Sequence, residues 1–81
     1  MEIELAPNAA KQYKKLPKSI KKKMDKQFTY LLENLRHPSL SVKKYGGSDD
    51  IWQGRVDKSW RFYFHIINPD YIIISIINHP K

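Results

Sequence analysis

The chain has 81 residues and a formal charge of +7, from 15 lysines and arginines against 8 acidic residues. One domain, residues 1–81, with a modest core is expected, because a chain this short buries only about 60–65% of its unfolded surface. The absence of cysteine excludes disulfides and thiolate metal sites, and the basic excess predicts a polyanionic partner: nucleic acid, an acidic protein or a membrane surface.

The N-terminus, MEIELAPN, is acidic and short of apolar residues, unlike a signal peptide. Within it Glu2 to Leu5 alternate polar and apolar and read as a short strand. Ala6-Pro7-Asn8 starts a helix, since proline tolerates the first turn. Ala9, Ala10, Tyr13 and Leu16 give that helix an apolar face and Lys11, Gln12, Lys14 and Lys15 an outward one. Pro17 interrupts the pattern and starts a second helix. Its apolar stripe is Ile20, Met24, Phe28, Leu31, Leu32 and Leu35, running to about Arg36, with Lys18, Lys21, Lys22, Lys23 and Lys26 outward. Pro38 to Asp50 reads as a loop containing Gly46-Gly47, with a brief extended piece at Ser41–Tyr45.

Ile51 to His65, IWQGRVDKSWRFYFH, reads as a hairpin closed by Asp57-Lys58-Ser59. That loop sets Val56 opposite Trp60, Arg55 opposite Arg61, Gly54 opposite Phe62 and Trp52 opposite Phe64. One face then carries Trp52, Val56, Trp60, Phe62 and Phe64, a core face; the other carries Gln53, Arg55, Arg61, Tyr63 and His65. Asn68-Pro69-Asp70 turns the chain into a last strand, Tyr71 to Asn78, far too short an apolar run to span a bilayer. A regular turn there places Ile72, Ile74 and Ile76 in the core and Tyr71, Ile73, Ser75, Ile77 and His79 on the arginine side. The order is β-α-α-β-β-β: an α+β domain with a helical hairpin on one face of a mainly antiparallel sheet. The cytoplasm is the expected location.

Arginines paired across two strands cost a sheet up to about 1 kcal/mol. Two readings fit them. Either both forked donors converge on a phosphate, or they splay into solvent or meet Asp57 and Asp49.

The strand, the helical hairpin, the PSLSVKKYGG loop, the W-Q-G-R-V…W-R-F-Y-F hairpin and the terminal Ile76-Ile77-Asn78-His79-Pro80-Lys81 together resemble the RelE/ParE superfamily of toxins over nearly the whole chain. RelE-like members of that superfamily are ribosome-dependent endoribonucleases that cut messenger RNA. ParE-like members instead poison DNA gyrase, and both kinds are neutralised by a small antitoxin. The resemblance implies that Arg61 contacts the scissile phosphate, that Arg55 is a basic position on the preceding strand, and that His79 acts as acid or base or holds phosphate. It also implies RNA contacts from Lys43 and Lys44, with Gln53, Tyr63 and Lys81 beside them. Two departures stand out: Gln53 occupies a position where some active members have lysine, and no tyrosine follows His79.

Cleavage of this kind needs a base, a cationic cradle for the phosphorane and an acid. Neither cofactor nor metal is called for, and His37, His65 and His79 show no ligand spacing. Arg55 and Arg61 suit the cradle, and His79 suits proton transfer or is a surface histidine at the chain end. His65 reads as structural or peripheral. Tyr63 either stacks on a base or packs against Ile73 and Ile77; Trp52 and Trp60 read as core. The eight lysines between Lys11 and Lys26 form an electrostatic surface across the sheet from the arginines. An RNA-cleaving toxin, a gyrase inhibitor and a catalytically degenerate binding module all fit the sequence, and all three imply an antitoxin partner.

Overall fold

The computed structural model describes residues 2–45, 50–67 and 69–78. Strand β1 (Ile3–Leu5) leads into helices α1 (Pro7–Lys14) and α2 (Lys18–Glu33), a 3-10 turn at Pro38–Leu40, and strands β2 (Lys43–Lys44), β3 (Trp52–Arg55), β4 (Trp60–Ile67) and β5 (Asp70–Asn78). The sheet order is β1-β5-β4-β3-β2. Among the described residues only the β1–β5 pairing is parallel; the others are antiparallel. The expected α+β arrangement is therefore the one observed, with β2 forming the brief extended piece. No helix among the described residues is long and apolar enough to cross a membrane.

Both helices cover one sheet face. Ala9, Leu16, Ile20, Met24 and Leu31 meet Val56, Phe62, Phe64, Ile73 and Ile76 in a single apolar cluster, each large side chain contributing about 1.5–3 kcal/mol by leaving water. The Phe62 ring lies across Gly54, its register partner, so closely that a Cβ there would press into it. A glycine is needed at that point because the strand must let an aromatic ring cross its backbone.

The central hairpin has the expected register: Trp52 opposite Phe64, Gln53 opposite Tyr63, Gly54 opposite Phe62, Arg55 opposite Arg61. Strand β5 departs from expectation. Tyr63 pairs with Ser75 but Phe64 pairs with Ile73, so Ile74 is an extra residue in a β-bulge. The slip reverses the assignment of the strand's first half. Tyr71 and Ile73 are buried in the core, whereas Ile72 and Ile74 fall on the arginine side; Ile76 and Ile77 keep their expected faces. Asp70 belongs to the strand rather than the turn.

Past the end of β1, helix α1 takes over as the neighbour of β5. Asn8 Nδ2 donates to the Ile74 carbonyl (3.3 Å), and the Ile76 amide donates to Gln12 Oε1 (2.7 Å). Gln12 is thus turned inward, because the bulged edge needs an acceptor that β1 no longer supplies. Helix α2 ends at Glu33, earlier than the apolar pattern suggests, and Leu32 is 41% exposed. The buried position on that stripe belongs instead to Gln27, at 4% exposure.

Candidate anion site on the open sheet face

Arg55 and Arg61 lie on the face that the helices leave uncovered, opposite Gly54 and Phe62 in the alternation. The Val56 amide bonds the Trp60 carbonyl at 2.9 Å. The next pair out, Arg55 with Arg61, is therefore of the non-hydrogen-bonded kind, in which Cα atoms approach to about 4.5 Å and side chains crowd most. Nothing acidic relieves that crowding: Lys23–Asp57 is the only salt bridge among the described residues.

The hairpin loop supplies acceptors of another kind. Arg61 Nη1 donates to the carbonyls of Asp57 (2.6 Å), Lys58 (3.2 Å) and Trp60 (3.0 Å). The Asp57 carboxylate is engaged elsewhere, accepting from the amides of Ser59 and Trp60, both at 2.9 Å, and from Lys23 Nζ at 3.3 Å. Burial pushes its pKa up, but those two amides and the Lys23 ammonium outweigh burial and hold the carboxyl below its ordinary value. The aspartate thus shapes the loop, and the loop carbonyls aim Arg61 without neutralising it.

Two depressions flank the arginine pair. One is lined by Arg55, Lys58, Ser59 and Arg61; the other, about 120 Å³, by Ser41, Lys43, Gln53, Arg55 and Arg61. Lys43 reaches the second because β2 sets it opposite Gln53. Ser41 enters through a left-handed backbone turn at φ 47°. Cationic and hydroxyl-bearing residues from neighbouring strands and loops thus face one patch, an arrangement able to bind a phosphate and stabilise added charge on it.

Arg55 is held from behind. Gln27 Nε2 donates to the Arg55 carbonyl (2.8 Å) and the Ser39 carbonyl (3.0 Å), while Gln27 Oε1 accepts from Ser39 Oγ (3.2 Å). This buried amide ties helix α2 to the end of β3 and to the turn before Ser41. The sequence offered one signal for it: position 27 shares the spacing of Met24 and Leu31, yet is polar.

The remaining expected residues divide. Gln53 joins the patch, but Lys44 lies on the helix side, its ammonium over the Trp52 ring at 5.7 Å. Tyr63 is only 7% exposed and meets Tyr45 edge-on at 4.9 Å. It packs not against Ile73, which is on the far face, but in a shallow apolar hollow with Ile74 and Ile77. Burial raises the Tyr63 pKa and Tyr45 adds to it, against the pull of Arg61, so it stays a phenol at neutral pH. His65 lies four residues from Arg61, about 13 Å along the strand, and its Nδ1 is tied to the Asp50 carbonyl at 2.8 Å; it is peripheral. Trp52 and Trp60 are partly buried against the core. His79, Lys81 and Asp49 lie outside the described residues.

The family model described as ParE toxin of type II toxin-antitoxin system, parDE, matches residues 3–81. The chain belongs to the ParE toxin family. It is a toxin of a type II toxin–antitoxin system, within the RelE/ParE superfamily that its sequence resembles. No curated protein sequence matches it. Solved structures share the toxin's fold at low identity. The isolated RelE toxin of E. coli superposes with a TM-score of 0.77 at 20% identity, over 98% of this chain and 84% of that one. A YoeB/ParE toxin from Agrobacterium tumefaciens gives 0.83 at 12%, over 99% and 100%. The YoeB–YefM complex from Staphylococcus aureus gives 0.80 at 18%, over 96% and 95%.

Proposed function

We propose that the toxin is a ribosome-dependent messenger-RNA endoribonuclease of the cytoplasm, with a cognate antitoxin as its neutralising partner. One observation carries this reading: Arg55, Arg61 and Lys43 converge on an open patch with no carboxylate partner among the described residues. Such a patch gives up sheet stability for a place where a phosphate and its developing charge are held by permanent cations. Structural likeness to RelE and YoeB toxins supports it. The described lining contains no histidine or carboxylate, so proton transfer falls to Lys43, to Lys58, or to His79 outside the described residues. YoeB forms a complex with YefM; an antitoxin of this toxin would press an apolar segment into the hollow of Tyr45, Tyr63, Ile74 and Ile77 and block the arginines beside it.

The test is mRNA integrity in a translation reaction. Wild-type toxin cleaves, and Arg61→Ala lowers the rate by about 100-fold or more, the scale of one lost oxyanion-type donor, while its unfolding curve stays in place. Intact mRNA with folded toxin present at high concentration overturns the reading.

A second reading, inhibition of DNA gyrase, is favoured by the family model itself and by the scarcity of acid–base groups in the described lining. A supercoiling assay separates the two, because only this reading predicts gyrase arrest.

A further inference from the structure

Another cavity, about 270 Å³, opens on the helix side of the same sheet edge, lined by Leu35, Arg36, His37, Ser41, Val42 and Trp52 among others. The anion patch and this cavity lie on opposite sides of the two-residue strand β2, and Ser41 lines both. Alternation explains the division: Lys43 and Gln53 point to the arginine face, Lys44 and Trp52 to the other. Ser41, bent through its left-handed conformation just before the two-residue strand β2, is the residue the two surfaces share.

The cavity has the parts of a nucleotide subsite. Its walls are apolar, Leu35 and Val42, with the half-buried indole of Trp52 as an aromatic plane. Cationic charge is close by: Arg36 is in the lining, and Lys44, outside it, holds its Nζ over the indole at 5.7 Å. Neither has a carboxylate partner among the described residues. The His37 ring is fixed, stacked on Tyr30 at 3.8 Å and 6°, with Nδ1 accepting the Ser39 amide at 3.1 Å. That bond leaves the other ring nitrogen to carry the proton of the neutral imidazole. An aromatic plane with cations and a fixed donor is what single-stranded nucleic acid needs, since bases stack on any π-face and phosphates seek charge.

We infer that single-stranded RNA held at the Arg55–Arg61 patch continues around the β2 edge past Ser41 and stacks a neighbouring base in the Trp52 cavity, with Arg36 and Lys44 on its phosphate. The inference rests on the RNA-cleaving reading and names a subsite for it.

The experiment uses the full-length toxin carrying Trp60→Phe, so that Trp52 is the sole tryptophan of the original two, and an uncleavable 2′-O-methyl RNA, as a dinucleotide and as a longer oligomer. The longer strand quenches Trp52 emission. Both Trp52→Leu and Arg36→Ala weaken its binding by about ten-fold, the scale of one lost base stack, and leave dinucleotide binding as it was. If the longer strand binds both variants as tightly as the parent while Arg61→Ala still loses affinity, the subsite is wrong and the arginine patch stands. If Arg61→Ala costs nothing either, the reading beneath it has failed and the subsite falls with it. Quenching by the antitoxin but not by RNA overturns the inference in favour of a protein contact. Arg36 is exposed, so its variant and the emission signal decide the matter even if Trp52→Leu does not fold.

Discussion

The two faces of the sheet are made by alternate residues of the same strands, yet they obey opposite rules. On the covered face every large side chain has neighbours: Phe62 stacks on Phe64 at 5.4 Å and meets Phe28 edge-on at 6.1 Å. On the open face, one residue along, Arg61 stands opposite Arg55 and is steadied, among the described residues, by backbone carbonyls alone. The difference separates the residues that hold the fold from those that the proposed function uses. A residue's neighbour in sequence holds the fold together, while the residue itself holds a position at some cost to the fold.

Substitutions can break or sharpen that contrast. The largest effect belongs to the covered face: Phe62→Ala empties the centre of the core and should cost about 3–5 kcal/mol, read as a lower midpoint in urea unfolding. Next comes the residue that links the faces. Gln27→Leu takes the donor from the part-buried carbonyl bonds of Ser39 and Arg55 and loses the Ser39 hydroxyl contact; about 1–2 kcal/mol is expected. That variant should also lower mRNA cleavage under conditions where it remains folded, because Arg55 loses its anchor.

Smaller effects test the open face. Arg55→Glu replaces repulsion with attraction to Arg61, so it should raise stability by about 0.2–1 kcal/mol while abolishing cleavage. A variant that is both more stable and inactive is the sharpest statement of the contrast; one that is less stable would contradict it. The smallest effect concerns acid. The folded pKa of Asp57 lies below its unfolded value, so its contribution is fully present above that unfolded value. The contribution fades as pH falls through the lower folded value. Asp57→Asn should flatten the stability–pH curve at its acid end by a few tenths of a kcal/mol, since the Lys23 side of the pair is more than half exposed and solvent screens it.

The same contrast governs how much of the fold is legible in the order of the amino acids. The hairpin register is legible because its faces differ in chemistry: aromatic on one side, charged on the other, with a loop of defined length. Strand β5 offers no such guide. Ile72, Ile73, Ile74, Ile76 and Ile77 are apolar on both faces, so alternation does not reveal the extra residue at Ile74. Gln27 hides for a different reason: a polar residue on an apolar stripe counts against a pattern until its three partners are seen. The pairing of Arg55 with Arg61 follows from the sequence; the carbonyl cage around Arg61 and the fork of surfaces at Ser41 depend on how the loops are placed in space.

The bulge makes β5 a strand with a spare link. Excising Ile74 would restore unbroken alternation, keeping Ile73 and Ile76 inward and Ser75 and Ile77 outward. Losing a single residue from the middle of β4 would instead turn half that strand over and send Arg61 or Phe64 to the wrong side. Length variation among relatives of this toxin should therefore be absorbed in the last strand and refused in its neighbour.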